Sequence, residues 1–255
     1  MNNCSPTGKP APAISVITVV RNGATVLEAC LASVARHSGS SAEHIVLDGA
    51  STDGTQDMLR RHEAGLAFWA SEPDQGIYDA MNKAVTHARG DWVLFLGCDD
   101  ELVADLDTVL PQLQNKSTVY YGNAYWRHSG RIHDGPFPAA KLARTNICHQ
   151  AILYPRRALL KHPFTLRYRL QADWEMNMRC FSDPEFRFEY IPLTLASYND
   201  ASGASSTTRD LALEADYPAL MWRYFPWPIA LWYSSLALGG RMLRTLGLRR
   251  ERTGT

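Results

Sequence analysis

The first hundred residues alternate short apolar runs with amphipathic helical patterns, and few folds accept that alternation. Residues 14–20 are dense in β-branched side chains and apolar on both faces, as a strand inside a parallel sheet must be. Arg21-Asn22-Gly23 ends the run. Val26, Leu27, Cys30, Leu31 and Val34 then recur at helical spacing. Residues 44–48 read as a second strand, followed by a turn-rich loop to Gly54, with Thr55 placed to cap a helix reaching about Glu63. Residues 66–71 predict a short third strand. A helix is expected over 75–89, with Ile77, Met81, Ala84, Val85 and Ala88 facing inward. Residues 92–96 form the most apolar strand run. The pattern predicts an α/β fold: a doubly wound, mainly parallel twisted sheet flanked by helices. Ligands of such sheets bind beyond the carboxyl ends of the strands. Asp48, Asp99 and Asp100 all stand at or just after the ends of strand runs, so they are expected to converge on one crevice.

The second half is less regular. Strands are expected at 119–126, 151–154 and 190–198, a loop at 130–138, a helix at 172–181 and a mobile polar loop at 199–209. With 255 residues, the chain suits one α/β domain with an appendage. The 26 basic and 26 acidic residues balance, which argues against a nucleic-acid partner. Five widely spaced cysteines without a C-x-x-C pair read as reduced thiols. Within residues 1–13 no apolar run stands behind the single lysine, Lys9, so a secretory signal is not expected and a cytoplasmic location is.

Three elements carry chemistry. Asp99-Asp100 places two carboxylates side by side, which repel unless a cation or other partners relieve them. One carboxylate plus phosphate oxygens is a typical Mg²⁺ or Mn²⁺ arrangement; a solvated acidic turn is the bland alternative, and the second acidic strand end argues against it. Residues 48–55, Asp-Gly-Ala-Ser-Thr-Asp-Gly-Thr, let backbone approach a ligand closely and offer a carboxylate to a base or ribose. There is neither a Walker loop nor a GxGxxG. In residues 72–83, Asp74 and Gln75 stand at a helix start, while Asp79, Asn82 and Lys83 share a flank, as they would on any solvated helix face.

These elements, with Ser15-Val16-Ile17-Thr18 ahead of them, occur in the order seen in family 2 glycosyltransferases of the GT-A type, which the chain resembles over roughly 14–200. Bacterial enzymes of exopolysaccharide, colanic-acid-like and lipopolysaccharide assembly are the nearest likeness. The resemblance implies a GT-A domain over 13–215, after a flexible lead at 1–12, and inverting hexosyl or N-acetylhexosaminyl transfer from a nucleotide-diphosphate sugar, usually a UDP-sugar, with Mn²⁺ or Mg²⁺. It implies that Thr18 and Val20 flank the nucleotide, with Asp48 near the base and Asp74 and Lys83 near nucleotide and donor. Asp99 would contact ribose or donor, and Asp100 the metal through the diphosphate. Cys98 stands where the family's metal motif often has another residue type, so a first acidic residue is missing there. Ala172-Asp173 replaces the usual Glu-Asp pair, giving Asp173 the general-base role with Glu175 as fallback. His149-Gln150 resembles a pair that contacts donor sugar or acceptor; a satisfied buried histidine is the alternative. Without a Gln-x-x-Arg-Trp signature or multiple membrane spans, single-sugar addition to a glycan or lipid-linked acceptor is expected. A sugar-phosphate nucleotidyltransferase and a non-catalytic binding subunit are the competing readings.

Residues 216–255 are expected to form a C-terminal helical appendage. Residues 224–240 carry no charge and are followed by Arg241, Arg244, Arg249, Arg250 and Arg252. The segment is at the short limit for a membrane span, and Pro226 and Pro228 break its start. Aromatic residues beside arginines suit the inner surface of an anionic membrane; a helix packed on the core or on a partner subunit is the alternative.

Overall fold

The computed structural model describes residues 11–133, 135–201 and 209–245, with side chains of the last helix described to residue 239. Most of the expected N-terminal lead, Cys4, and residues 202–208 of the polar loop lie outside the described residues. The elements run β1 (Ile14–Val20), α1 (Leu27–His37), β2 (Ala42–Asp48), α2 (Thr55–His62), β3 (Phe68–Ser71), α3 (Ile77–Val85), β4 (Trp92–Phe95), β5 (Glu101–Leu102) and α4 (Leu106–Val109). The second half adds β6 (Thr118–Trp126), β7 (Arg131–His133), α5 (Ala139–Arg144), β8 (Ile152–Pro155), α6 (Arg156–Lys161), α7 (Ala172–Ser182) and β9 (Arg187–Tyr198). Two helices follow, α8 (Leu211–Tyr224) and α9 (Trp227–Thr245).

One sheet joins the strands in the order β3-β2-β1-β4-β8-β6-β9-β5, with β7 on β6. β1, β2, β3 and β4 pair in parallel, which requires the crossover helices seen in the sequence pattern. β8 pairs antiparallel with both β4 and β6, while β6 and β9 are parallel. Alternation along each central strand divides the core. Ile17, Ile45 and Phe95 face the layer with α3, α5, α7 and α8, whereas Val16, Val46 and Leu94 face α1 and α2. The expected α/β class with a parallel-dominated, helix-flanked sheet is therefore observed.

Several local readings change. The third helix is shorter than 75–89, and Ile77 is 45% exposed while Tyr78 turns inward. Leu66 ends a 3₁₀ turn instead of opening β3. The 130–138 loop contains β7, because residues 131–133 pair with the end of β6. The expected boundary at 215/216 falls inside α8, whose Leu213, Leu220, Met221 and Tyr224 are buried in the core. Asp210 caps this helix through Leu213 N and also accepts from Leu170 N, tying it to the segment before α7. Among the described residues no helix is long and apolar enough to cross a membrane.

Candidate active site

The crevice is built first from the loops after β1 and β2. Asp48 is 1% exposed at the end of β2; its Oδ2 accepts Ser51 N at 3.0 Å and Ser71 Oγ at 2.5 Å, and its Oδ1 accepts Ser51 Oγ. The turn places Ala50, not Gly49, in the left-handed region, at φ 56°. Gly49 serves close approach instead: a Cβ there would lie 2.4 Å from Asp74 Oδ2. Asn22 N donates to Ser51 Oγ and Asn22 Oδ1 accepts Thr52 N, so the two loops brace each other. Thr18 does not reach the crevice with its side chain. It is fully buried on the α1 face, with its hydroxyl on His44 Nε2 at 3.0 Å and Cys30 Sγ at 3.6 Å. Val20 is buried at the end of β1, where its carbonyl accepts Gly49 N.

Asp74 accepts Gly76 N at 2.9 Å just before α3. It lines a cavity of about 350 Å³ with Arg21, Tyr78, Asp79, Tyr168 and Arg169. Two guanidiniums across from a helix start suit an anionic ligand. Lys83 instead holds the loop in place: its Nζ lies 3.0 Å from Pro73 O and 3.2 Å from both Glu72 and Asp79.

The second half of the site lies at the end of β4. Asp100 is 1% exposed; its Oδ2 accepts Gln150 Nε2 at 2.8 Å and its Oδ1 accepts Asn199 N at 2.7 Å. Asp99 Oδ2 accepts Asn199 Nδ2 at 3.0 Å. Burial, reinforced by the Asp99 charge, pushes the Asp100 carboxyl above its ordinary value, against the opposing hydrogen bonds from Asn199 and Gln150. Burial also pushes the Cys98 thiol up to about 12, so it is a neutral neighbour, not a thiolate ligand.

Asp173 stands in the first turn of α7. Tyr78 Oη donates to its Oδ1 and Asn146 Nδ2 to its Oδ2, each at 2.7 Å, and His149 Nδ1 lies 3.5 Å from Oδ2. Burial and the Asp173 charge push the Tyr78 phenol well above its ordinary value, which keeps it a donor. Behind Asn146, Asn177 Nδ2 donates to Asn146 Oδ1 and Tyr154 Oη to Asn177 Oδ1, both at 2.8 Å. The adjacent residues His149 and Gln150 thus touch Asp173 and Asp100 respectively, and one dipeptide couples the two carboxylates. The His149 side chain is 21% exposed, not fully buried.

Glu175 is excluded from this arrangement. Arg179 pairs with it through two nitrogens, and Tyr224 Oη donates to it at 2.7 Å, on the flank of α7 that meets α8. Arg179 is spent there, and Arg157 on Glu185 and Ser117, so neither points at the crevice. Sequence reasoning missed Tyr78, Asn146, Asn177 and Asn199 as site residues. Only Tyr78 carried a signal, lying inside the 72–83 motif.

The Glycosyl transferase family 2 profile matches residues 15–174, a span that contains Asp48, Asp74, Asp99, Asp100 and Asp173. The chain is a family 2 glycosyltransferase. A PGL/p-HBAD biosynthesis glycosyltransferase of Mycobacterium bovis (strain BCG / Pasteur 1173P2) is 40% identical over 211 residues, covering 78% of this chain and 82% of that one. The structure of S. aureus TarS aligns with a TM-score of 0.62 at 18% identity, over 82% of this chain and 38% of that one. The mannosyltransferase PcManGT from Pyrobaculum calidifontis, in complex with GDP-Man and Mn²⁺, aligns with a TM-score of 0.58 at 17% identity, over 93% and 80%. At these identities the two structures establish the shared fold, which is the GT-A expectation.

Among its described residues, this glycosyltransferase gathers no group of three or more His, Cys, Asp or Glu side chains able to cage a metal. The two adjacent carboxylates offer part of a coordination shell. Asp99 and Asp100 are adjacent, Asp100 is buried with its charge disfavoured, and each oxygen of Asp100 takes one hydrogen bond, leaving lone-pair capacity. Such a pair suits a hard divalent ion that completes its shell from phosphate oxygens and water.

Proposed function

We propose that this glycosyltransferase moves one sugar, with inversion, from a nucleotide-diphosphate sugar of the UDP class to a hydroxyl of a polysaccharide-precursor or lipid-linked acceptor. Asp173 is its general base. The observation that carries this reading is the coupling of Asp100 and Asp173 through His149-Gln150, with the Asp48 and Asp74 loops on the other side. Solved neighbours support the donor class: TarS 1–349 has been crystallised with UDP-GlcNAc, and PcManGT with GDP-Man. The name of the mycobacterial relative, a biosynthesis glycosyltransferase, supports a biosynthetic acceptor.

In the proposed step the acceptor oxygen attacks the anomeric carbon as the bond from that carbon to the diphosphate oxygen breaks. The acceptor proton passes to an Asp173 carboxylate oxygen, and the nucleoside diphosphate leaves with the electron pair. Tyr78 and Asn146 fix that carboxylate in one rotamer, so ordering it costs nothing during reaction. Arg21 and Arg169 line, together with Asp74, the cavity where an anionic donor group would lie, and Asp48 would stand near the base. Gln150 holds Asp100, while His149, beside Asp173, would contact the transferring sugar or the acceptor. Asp99 and Asp100 would hold Mn²⁺ or Mg²⁺, which supplies positive charge against the diphosphate.

Nucleoside diphosphate release from a panel of UDP-hexoses, UDP-N-acetylhexosamines and GDP-mannose, with Mn²⁺ or Mg²⁺, tests the assignment. Turnover of a UDP-sugar is expected. Pyrophosphate release from UTP plus a sugar phosphate would instead indicate a nucleotidyltransferase, and donor binding without turnover a non-catalytic subunit.

A further inference from the structure

The last helix carries a surface that sugar transfer does not use. α9 packs on α8 through one face, with Ala230 fully buried and Ser234 Oγ donating to Pro218 O at 3.3 Å. The opposite face, at helical spacing, presents Trp227, Leu231, Trp232, Leu236 and Leu238, between 49% and 69% exposed. Pro228, Ser235 and Gly239 fill the rest of that face, so no charged side chain interrupts it between 227 and 239. Trp222, 54% exposed near the end of α8, adds a further indole across the Phe225-Pro226 corner. Exposed apolar surface of this density on one helix marks a contact site.

Charge selects the occupant. From residue 241 onward the sequence has five arginines and one acidic residue, Glu251, in a chain whose formal net charge is zero. A second copy docking here would bring two such arginine clusters together. Anionic headgroups would neutralise them while the acyl boundary takes the indoles. Over its described residues the helix is not long and apolar enough to cross a bilayer, so it would lie along the surface.

The geometry points to α9 as a membrane-surface helix, its 227–238 face seated in the headgroup region of an anionic bilayer. The appendage is firmly joined to the catalytic domain. Tyr217 Oη donates to Ala143 O at 2.5 Å, and Tyr224 Oη reaches Glu175 on the helix that carries Asp173. A membrane-held α9 therefore holds the whole domain, not a tethered tail, at the bilayer. This inference does not depend on the assignment of donor or base.

The test uses the full chain and vesicles of phosphatidylcholine with or without phosphatidylglycerol, without donor or acceptor, so its outcome is separate from that of the sugar-transfer assay. Expected are co-sedimentation with the anionic vesicles and quenching of tryptophan fluorescence by brominated lipid. The triple variant Trp227→Ser/Trp232→Ser/Leu236→Ser should lose partitioning by about tenfold or more with an unchanged thermal midpoint, since its apolar contacts with lipid are removed. Replacing Arg249, Arg250 and Arg252 by Gln should weaken binding mainly at low salt. Absence of wild-type partitioning onto anionic vesicles would overturn the inference, as would partitioning that the triple variant retains. Concentration-dependent dimers that the triple variant abolishes, with no lipid quenching in the wild type, would assign the face to a second copy instead. Bromolipid quenching of the wild type stands as a readout even if the triple variant misfolds.

Discussion

Replacing Asp173 by Asn separates base catalysis from donor binding. The side chain is 10% exposed and keeps its shape in the variant. With the amide oxygen at the Oδ2 position, the bond from Asn146 Nδ2 survives. The new amide nitrogen then faces Tyr78 Oη, whose hydroxyl can rotate to accept. Both contacts persist as neutral hydrogen bonds, and the loss is the charge-assisted increment, about 1 kcal/mol. The thermal midpoint should move by no more than about 4 °C for a domain of this size. Losing a general base, by contrast, lowers turnover by about 10²–10⁴-fold, or roughly 3–5 kcal/mol of barrier. Steady-state kinetics against donor and acceptor, with calorimetry for donor affinity, read the two quantities separately. Donor Kd should stay within about twofold, because the interaction removed acts in the transition state. A kcat within about tenfold of wild type would place the base elsewhere. A donor Kd that rises in step with the fall in kcat would make Asp173 a binding residue and refute the division of roles.

Asp100→Asn should weaken metal-supported donor binding by at least about tenfold, read by calorimetry with and without Mn²⁺, because a charged oxygen ligand is replaced by an amide. Glu175→Ala should cost about 3 kcal/mol in urea unfolding, since Arg179 and the Tyr224 hydroxyl lose their buried partner, while kcat per folded molecule stays unchanged. His44 gives a pH signature. Burial lowers its pKa from 6.5 to about 3, so between those values the unfolded chain binds a proton that the folded chain does not. Its contribution to stability is therefore complete above the unfolded value and is lost as pH falls toward the folded one, at about 1.4 kcal/mol per pH unit. Urea unfolding across that window should show a shallower slope in His44→Gln, and identical slopes would refute the assignment.

Strand and helix patterning made the parallel half of the sheet legible. β1 to β4 are local units, each set by a run of β-branched or apolar residues and a crossover helix. That Asp48, Asp99 and Asp100 stand at one edge was legible because the ends of parallel strands share an edge. The resemblance over roughly 14–200 added Asp74, and Asp173 with Glu175 as its fallback. That the Thr18 hydroxyl turns toward His44 and Cys30 on the α1 side was not legible, because β1 is apolar on both faces and alternation alone does not say which face meets α1.

Whether Asp173 or Glu175 faced the crevice was also beyond the sequence. The two lie two positions apart on a helix, so they point to nearly opposite flanks. Only the packing of α8 against α7 shows that Glu175 is consumed by Arg179 and Tyr224. The pairing of Tyr78 with Asp173 spans 95 positions, and that of Gln150 with Asp100 spans 50. No local period encodes such contacts; they follow from β8 inserting antiparallel between β4 and β6. The sequence alone determined the chemical groups and the edge of the sheet on which they stand, because hydrophobic periodicity is a local property. The tertiary structure decided which of them meet, because buried polar groups find partners only after distant segments have packed.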